Sequence, residues 1–377
     1  MPRDLHSESR SITLPAANAV AGEKSRGAPD SRQGRFEKSV REVFDDGWRP
    51  DDETTPALET TVTEERASSI ISKNESPDLP FSQSINPYRG CEHGCIYCYA
   101  RPSHSYLELS PGLDFETRLF AKTNAVELLR NELGRRGYVP SPIALGANTD
   151  CYQPVERKYR LTRGIVALLA ECDHPLTIVT KSALVERDLD ILAPMARKNL
   201  VRAFVSIATL DRKLARRLEP RAASPQRRLD TLRALSSARV PCGVMVAPVI
   251  PALSDNSIEE VLEAARAAGA QTAAYIVMRL PNELKGLFRD WLGIHYPLRS
   301  EHVMSVVQQL RGGRDNDPRF GARMTGTGLF AELIGKRFAI ACKRLGLNGR
   351  DEGGREPPDL DTTLFLPPSP AGQLRLF

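Results

Sequence analysis

The chain has 377 residues, of which 41% are hydrophobic and 26% are charged, and its formal net charge is +5 at pH 7. This apolar share is enough for a buried core, which excludes a wholly disordered chain. No run of about 18 apolar residues occurs, so we expect no membrane span. The first residues lack the apolar core of a signal peptide and the seven cysteines are odd in number, which favours a reducing, cytoplasmic location.

The first predicted segment, residues 1–76, is rich in Ser, Thr, Pro, Gly and charge. This composition predicts a mostly disordered N-terminal arm. One stretch inside it differs, because Phe36, Val40 and Phe44 in "GRFEKSVREVFDDGW" are spaced four residues apart. That spacing places them on one face of a helix.

From residue 77 to 325 the chain alternates between short apolar runs and helical patterns. In the first helix, helical spacing predicts one apolar stripe, formed by Leu161, Ile165, Leu168 and Leu169. The runs that predict strands are 80–88, 141–148, 175–182, 200–210, 240–250 and 271–280. They are continuously apolar, as is typical of a parallel sheet covered on both faces. About six β/α units are too few for a closed eight-fold barrel, so they favour either a partial barrel or an open doubly wound sheet. Residues 326–347 predict a C-terminal helix, and residues 348–377 a flexible tail.

The chemistry-bearing segment is "NPYRGCEHGCIYCYARP" (86–102), which holds Cys91, Cys95 and Cys98 directly after the first predicted strand. A disulfide would leave one thiol over. Structural zinc requires a fourth ligand, for which His93 and His104 are candidates. An iron–sulfur cluster held by three thiolates leaves one iron open to another ligand, so this alternative explains why the loop has three cysteines. The residues favour the cluster and keep zinc as an alternative.

The same loop, with Tyr97 before its third cysteine, resembles the cluster motif of the radical S-adenosylmethionine (SAM) superfamily. More narrowly, "SINPYRGCEHGCIYCYARP", "NTDCYQPVE" and "IVTKS" resemble the branch that contains spore photoproduct lyase and the DNA repair photolyase-like proteins. Within that branch the chain is similar to a bacterial subgroup with "GRFE…DDGW" near its start. The resemblance covers about residues 77–325 and implies an α/β fold with a partial (β/α)6 barrel, similar to part of a TIM barrel.

The resemblance also implies a reaction and its cofactors. Cys91, Cys95 and Cys98 would bind a [4Fe–4S] cluster whose fourth iron is chelated by SAM. Reductive cleavage of SAM would then give a 5′-deoxyadenosyl radical that abstracts hydrogen from a substrate, which the sequence does not identify. A flavodoxin-like or ferredoxin-like electron donor is the expected partner.

Six further residues are candidate SAM contacts by this resemblance. Thr149 and Asp150, after the second strand, are candidates for the SAM amino group, since a hydroxyl and a carboxylate accept hydrogen bonds from an ammonium. The others are Tyr97 beside the adenine, Lys181 at the SAM carboxylate, Ser206 near the ribose, and Arg279 facing SAM or an anionic substrate. Each also has an ordinary structural interpretation, such as capping, packing or an internal salt bridge.

The photoproduct lyases return hydrogen to their product from a cysteine, and alignment places Ala147 at that position. Two catalytic candidates follow. Cys151 would donate hydrogen from the next loop, and Tyr99 would relay a radical through its phenol. The absence of the expected cysteine favours a reaction other than thymine-dimer reversal.

Nucleic acid is left open as the substrate. The run "DRKLARRLEPRAASPQRR" (211–228) carries seven Lys or Arg residues and two acidic ones, but no aromatic residue for stacking on bases. The alternatives to a radical SAM enzyme of unknown substrate are therefore two. One is a DNA or RNA repair or modification enzyme of the photoproduct lyase type, and the other is a non-catalytic binding protein stapled by zinc.

Overall fold

The computed structural model describes residues 26–37, 59–349 and 359–368. In these ranges the strands are β1 (Thr61–Glu65), β2 (Ile71–Lys73), β3 (Gln83–Ile85), β4 (Tyr88–Arg89), β5 (Arg118–Lys122), β6 (Ile143–Leu145), β7 (Leu176–Thr180), β8 (Val201–Ser206), β9 (Cys242–Val249) and β10 (Thr272–Val277). The α-helices are α1 (Asp114–Thr117), α2 (Ala125–Leu133), α3 (Glu156–Tyr159), α4 (Leu161–Glu171), α5 (Leu189–Arg197), α6 (Arg212–Leu218), α7 (Pro225–Ser237), α8 (Ile258–Ala267), α9 (Leu284–His295), α10 (Ser300–Gln309), α11 (Ala322–Thr325) and α12 (Leu329–Leu345).

The main sheet has the order β10-β9-β8-β7-β6-β3-β2. Six of its strands pair in parallel, namely β3, β6, β7, β8, β9 and β10. The seventh, β2, pairs with β3 in the antiparallel direction. Because the parallel strands follow one another in chain order, the chain winds in one direction and lacks the reversal of a doubly wound sheet. The predicted α/β fold with six parallel strands is confirmed, as a partial barrel.

The register of the sheet places the carboxyl ends of the parallel strands at one edge. Ile85 pairs with Leu145, which pairs with Ile178, and Thr180 pairs with Val205. The cysteine loop leaves this edge directly after β3 and β4. The loops that follow β6, β7, β8 and β10 leave the same edge, so they surround the cysteine loop.

The helices cover the sheet through apolar stripes. The stripe predicted for the first helix lies on α4, where Leu161, Ile165, Leu168 and Leu169 are all buried. Burying each such side chain contributes about 1.5–3 kcal/mol, which fixes the helix against the sheet. Ile165, Leu168 and Leu169 join apolar residues of all six parallel strands in the main core.

A second, small sheet was not apparent in the sequence. Its order is β1-β5-β4, with β1 parallel and β4 antiparallel to β5. The β1 sequence "TVTEE" is short, polar and partly exposed, so it lacks the apolar run that identified the main strands. This sheet leads through β4 into the cysteine loop and therefore sets the direction from which the loop starts.

The two terminal regions are described only in part. Most of the predicted arm, including Val40 and Phe44 of its predicted helix, lies outside the described residues, as do 350–358 and 369–377 of the predicted tail. The described segment 26–37 lies against the cysteine loop. The described segment 359–368 packs at the amino ends of the strands, where the Leu366 amide donates to the Cys172 carbonyl at 2.9 Å.

Candidate functional site

The backbone of the cysteine loop turns twice on itself at glycine. Gly90 and Gly94 have φ values of +75° and +66°, in the left-handed region that glycine adopts at least cost. A Cβ atom at Gly94 would come within 2.6 Å of a Glu116 carboxylate oxygen, and one at Gly90 within 2.9 Å of the Phe115 carbonyl oxygen. The loop therefore needs glycine at both positions, for conformation and for space.

The three thiols of the loop lie close together. Cys91 and Cys95 are buried and Cys98 is half-buried. Cys98 packs against the hydrophobic cluster that contains Cys95 and against the cluster that contains Cys91. Burial raises the pKa of Cys95 to about 12, and the nearby Lys181 ammonium opposes that rise. Burial also raises the pKa of Cys91, with Asp150 and the other two thiols adding to the effect. Metal binding to these thiols must release their protons.

The donor set of this loop fits a cluster of several irons. Within residues 26–37, 59–349 and 359–368, no three His, Cys, Asp or Glu side chains are arranged around a single ion position. Three thiolates on a cubane each bind a different iron, so Cys91, Cys95 and Cys98 can hold it without converging.

The Gln153 side chain clamps the start of the loop, which is a role that the sequence did not reveal. It is fully buried, and its amide accepts from the Glu92 backbone N–H at 2.9 Å and donates to the Gly90 carbonyl at 3.0 Å. These two bonds bracket Cys91. No pattern in the sequence around Gln153 predicts this contact.

The other end of the loop is held by a buried arginine. Arg101 has no exposed surface, donates to the carbonyls of Cys95 at 2.8 Å and Gly94 at 3.1 Å, and pairs with Glu116. A buried ion pair is costly to break, because the charge left behind is unpaired. Arg101 thereby fixes the backbone at the second cysteine.

The described part of the N-terminal arm completes this contact. The backbone amides of Gly27 and Ala28 donate to the Glu116 carboxylate at 2.9 and 2.8 Å. Gly27 lies so close to Gly94 that a Cβ atom on it would come within 1.6 Å of the Gly94 carbonyl oxygen. This short stretch of the arm is therefore part of the wall behind the cysteine loop.

A buried group of charges lies beneath the second cysteine. Glu219 and Arg228 form an ion pair, the Tyr97 hydroxyl donates to Glu219, and the Lys181 ammonium lies 5.9 Å from the centre of the Tyr97 ring. Burial alone would raise the pKa of Glu219, but Arg228 and Lys181 hold it below its ordinary value. The carboxylate thus stays ionised and fixes the orientation of the tyrosine beside the cluster loop.

Lys181 lies at the carboxyl end of β7, as its sequence position predicted. Burial would lower its pKa, yet Cys95, Glu219 and Asp150 together raise it. Lys181 is therefore a cation throughout the physiological range, on the same face as the cysteine loop. Its predicted contact with a SAM carboxylate stays a prediction.

The two candidates after β6 have protein partners. Thr149 is buried and its hydroxyl donates to the Tyr88 carbonyl at 3.0 Å. The Asp150 carboxylate accepts from the Thr180 hydroxyl and the Lys181 backbone N–H, both at 2.7 Å. Burial would raise the pKa of Asp150, but these donors and His93 at 3.3 Å lower it. Asp150 therefore ties the loop after β6 to the end of β7.

The other candidates are distributed unevenly. The Ser206 hydroxyl donates to the Ala247 carbonyl at 3.2 Å. Cys151 has no exposed surface and belongs to the main core, and burial raises its pKa well above the ordinary thiol value. Tyr99, in contrast, is 45% exposed, and its hydroxyl donates to the Ala147 carbonyl. Of the two catalytic candidates, only Tyr99 reaches the open side of the site.

Three of the seven basic residues in the run 211–228 are paired with carboxylates of the described part of the protein. Arg227 makes a two-fold ion pair with Glu186 at 2.6 and 2.7 Å, and Arg221 pairs with Glu92 at 3.0 Å. Arg228 is buried in the pair described above. The segment also contacts the cysteine loop through the Arg221 backbone N–H, which donates to the His93 carbonyl at 3.3 Å. The contacts of Arg221 therefore support that loop. The other four basic residues of the run are exposed, namely Arg212, Lys213, Arg216 and Arg217.

The comparisons with known proteins agree with this geometry. Residues 85–265 match the family model of the Radical SAM superfamily, whose members use a [4Fe–4S] cluster and SAM. In the part of the chain that the structure describes, no helix has the length and apolar character to cross a membrane.

Relatives among curated proteins match over part of their length. Uncharacterised proteins of Mycobacterium bovis and Mycobacterium tuberculosis are 42% identical over 221 residues, which cover 58% of this chain and 65% of theirs. An uncharacterised protein of Methanocaldococcus jannaschii is 28% identical over 171 residues, covering 45% of this chain and 61% of its own. The chain thus matches less than two thirds of each relative.

Solved structures of spore photoproduct lyase share the fold. A complex with dinucleoside spore photoproduct superimposes with a TM-score of 0.57 at 17% identity, over 82% of this chain and 87% of the other. A mutant of that lyase gives 0.54 at 16% identity, over 79% and 85%. At such low identity the likeness shows the fold alone, a partial barrel.

Proposed function

We propose, from the match of residues 85–265 to the family model of the Radical SAM superfamily, that the chain is an enzyme that cleaves SAM reductively to start radical chemistry on a substrate. When bound, a [4Fe–4S] cluster with SAM supplies one-electron cleavage of the sulfonium and a 5′-deoxyadenosyl radical. The observation that carries this proposal is the trio of Cys91, Cys95 and Cys98 on one tight loop at the carboxyl edge of the sheet.

The chain's own residues would hold these cofactors from two sides. Cys91, Cys95 and Cys98 are the cluster ligands, and the bonds of Gln153 and Arg101 keep their backbone in place. Lys181 is the charged group beside the second cysteine, where it would bind an anionic end of SAM. Burial of these contacts keeps water from the reacting atoms.

Tyr97 would contribute the side of the pocket next to the cysteine ligands. Its hydroxyl is bound to Glu219, so the ring is held in one orientation. Thr149 and Asp150 follow the carboxyl end of β6, Ser206 ends β8, and the three would shape the rest of the pocket. A low-potential electron donor is required as partner, since the cluster must be reduced before SAM is cleaved.

A lyase reaction on DNA is the second candidate. The fold shared with the complex of spore photoproduct lyase favours it. Two features oppose it, because Ala147 stands where that branch uses a cysteine and Cys151 has no exposed surface. We therefore propose a radical SAM enzyme whose substrate differs from a thymine dimer.

The test is the content and chemistry of protein purified without oxygen. We expect a brown protein with about four irons per chain that forms 5′-deoxyadenosine from SAM with dithionite. Changing Cys98 to Ala should abolish both properties, whereas changing Cys172 to Ala, a thiol of the main core, should retain the iron. A colourless protein that binds one zinc ion would instead support the stapled binding protein.

A further inference from the structure

Arg279 stands two residues after the end of β10, on the open side of the site. Its guanidinium lies 5.5 Å from the centre of the Tyr99 ring, and its Nη1 lies 3.8 Å from the Met324 sulfur. Its Nε is buried and has no hydrogen-bond partner. Among the described residues no carboxylate lies within 4 Å of it, which is unusual for a half-buried charge.

The surroundings of Arg279 add positive charge. Arg323 is nearby, and it is paired with Asp78. Arg311 is also near, and it is buried with its donors on backbone carbonyls such as that of Val277 at 3.1 Å. Of these three guanidiniums, only that of Arg323 forms an ion pair with a carboxylate, that of Asp78, among the described residues. Burial and Arg323 lower the pKa of Arg279, which shows how poorly its charge is compensated.

The site therefore has two cationic poles, each beside a tyrosine that adjoins the third cysteine in the chain. Lys181 lies over the ring of Tyr97, and Arg279 lies over the ring of Tyr99. The two tyrosines flank Cys98 in the chain. The poles differ in environment, because nearby carboxylates stabilise the Lys181 charge, whereas Asp78, which is bound to Arg323, only partly offsets the burial of Arg279.

We infer that Arg279 is the binding residue for an oxyanion of the substrate, either a phosphate or a carboxylate group. SAM has a single carboxylate, and Lys181 can hold it, which leaves Arg279 for a second anion. The planar guanidinium offers two parallel donors that match either oxyanion, and the Tyr99 ring beside it would contact an apolar part of the same ligand. This inference rests on the proposed function, whose site it shares.

The experiment measures binding of small anions by calorimetry to protein with its cluster reconstituted. The probes are phenyl phosphate and benzoate, and benzamide is their uncharged counterpart. The variants are Arg279→Met, Arg279→Lys and Lys181→Met. Arg136→Met is the matched control, since Arg136 is exposed and lies before β6, away from the site.

We expect the wild-type protein to bind at least one anion more tightly than benzamide. Stronger binding of phenyl phosphate would identify a phosphate ligand, and stronger binding of benzoate a carboxylate. Arg279→Met should weaken that binding about tenfold or more, Arg279→Lys less, and Arg136→Met not at all. The SAM dissociation constant should rise in Lys181→Met and change less than about twofold in Arg279→Met.

The inference is overturned if neither anion binds better than benzamide, if Arg279→Met binds the anion as wild type does, or if Arg279→Met weakens SAM as much as Lys181→Met. Formation of 5′-deoxyadenosine by the wild-type protein is measured in the same samples. Its absence would refute the proposed function, whereas the three outcomes above refute only the role of Arg279.

Discussion

Gln153 offers the sharpest test of how the cysteine loop is held. Replacing it with Leu keeps the approximate volume and removes both hydrogen bonds to the backbone around Cys91. The Glu92 N–H and the Gly90 carbonyl are then buried without partners. Each unsatisfied group costs about 1–3 kcal/mol, so the change should cost about 2–6 kcal/mol in total.

The cost should appear in two measurements. Urea unfolding of the metal-free, reduced protein should show the lower free energy of unfolding. Reconstituted protein should lose iron faster to a chelator than wild type does, because the loop opens more often. The matched control is Gln226→Leu, since Gln226 is exposed on α7 and bonds only to Asp230 in the described structure.

Equal unfolding free energies and equal iron-release rates for Gln153→Leu and Gln226→Leu would refute the reasoning. A lower stability with unchanged iron release would show that Gln153 supports the fold but does not fix the ligand at Cys91. The two measurements therefore separate a general packing role from a role at the cluster.

Three further predictions concern other contacts of the site. Glu219→Gln should raise the reduction potential of the cluster, because a buried negative charge next to Cys95 is removed. A redox titration followed by electron paramagnetic resonance measures this potential. An equal shift in Glu332→Gln, whose side chain is exposed, would contradict the prediction. Gly94→Ala should lower the iron content, and Gly137→Ala should not, because both have positive φ but only Gly94 has a neighbour within 4 Å of the added Cβ. Burial lowers the pKa of His104 to about 4, so the folded protein binds fewer protons than the unfolded chain between about pH 6.5 and 4. Urea unfolding should therefore show that the free energy of unfolding decreases by up to about 3 kcal/mol as the pH is lowered from 6.5 to 4. The decrease should be smaller in His104→Gln.

The sequence alone determined the elements whose signal is local. Six apolar runs predicted the six parallel strands, and the periodic stripe of α4 predicted its buried face, because both patterns follow from backbone geometry. The three closely spaced cysteines favoured a metal-binding loop, because three thiolates can hold an iron–sulfur cluster. The sequence did not predict the small sheet, because β1 and β4 are short, lack an apolar run and gain their stability from pairing with β5.

Only the tertiary structure decided which side chains support that loop. Gln153 lies 61 residues from the Glu92 amide it binds, and Glu219 lies 122 residues from Tyr97. A residue's periodicity reports whether it faces the core, but it does not report which distant polar group it will meet there. The run 211–228 shows the consequence, because its charges suggested a surface for nucleic acid and folding directs Arg221, Arg227 and Arg228 to carboxylates of the protein itself. Pairing of buried charges is set by three-dimensional proximity, and the linear sequence does not contain that information in readable form.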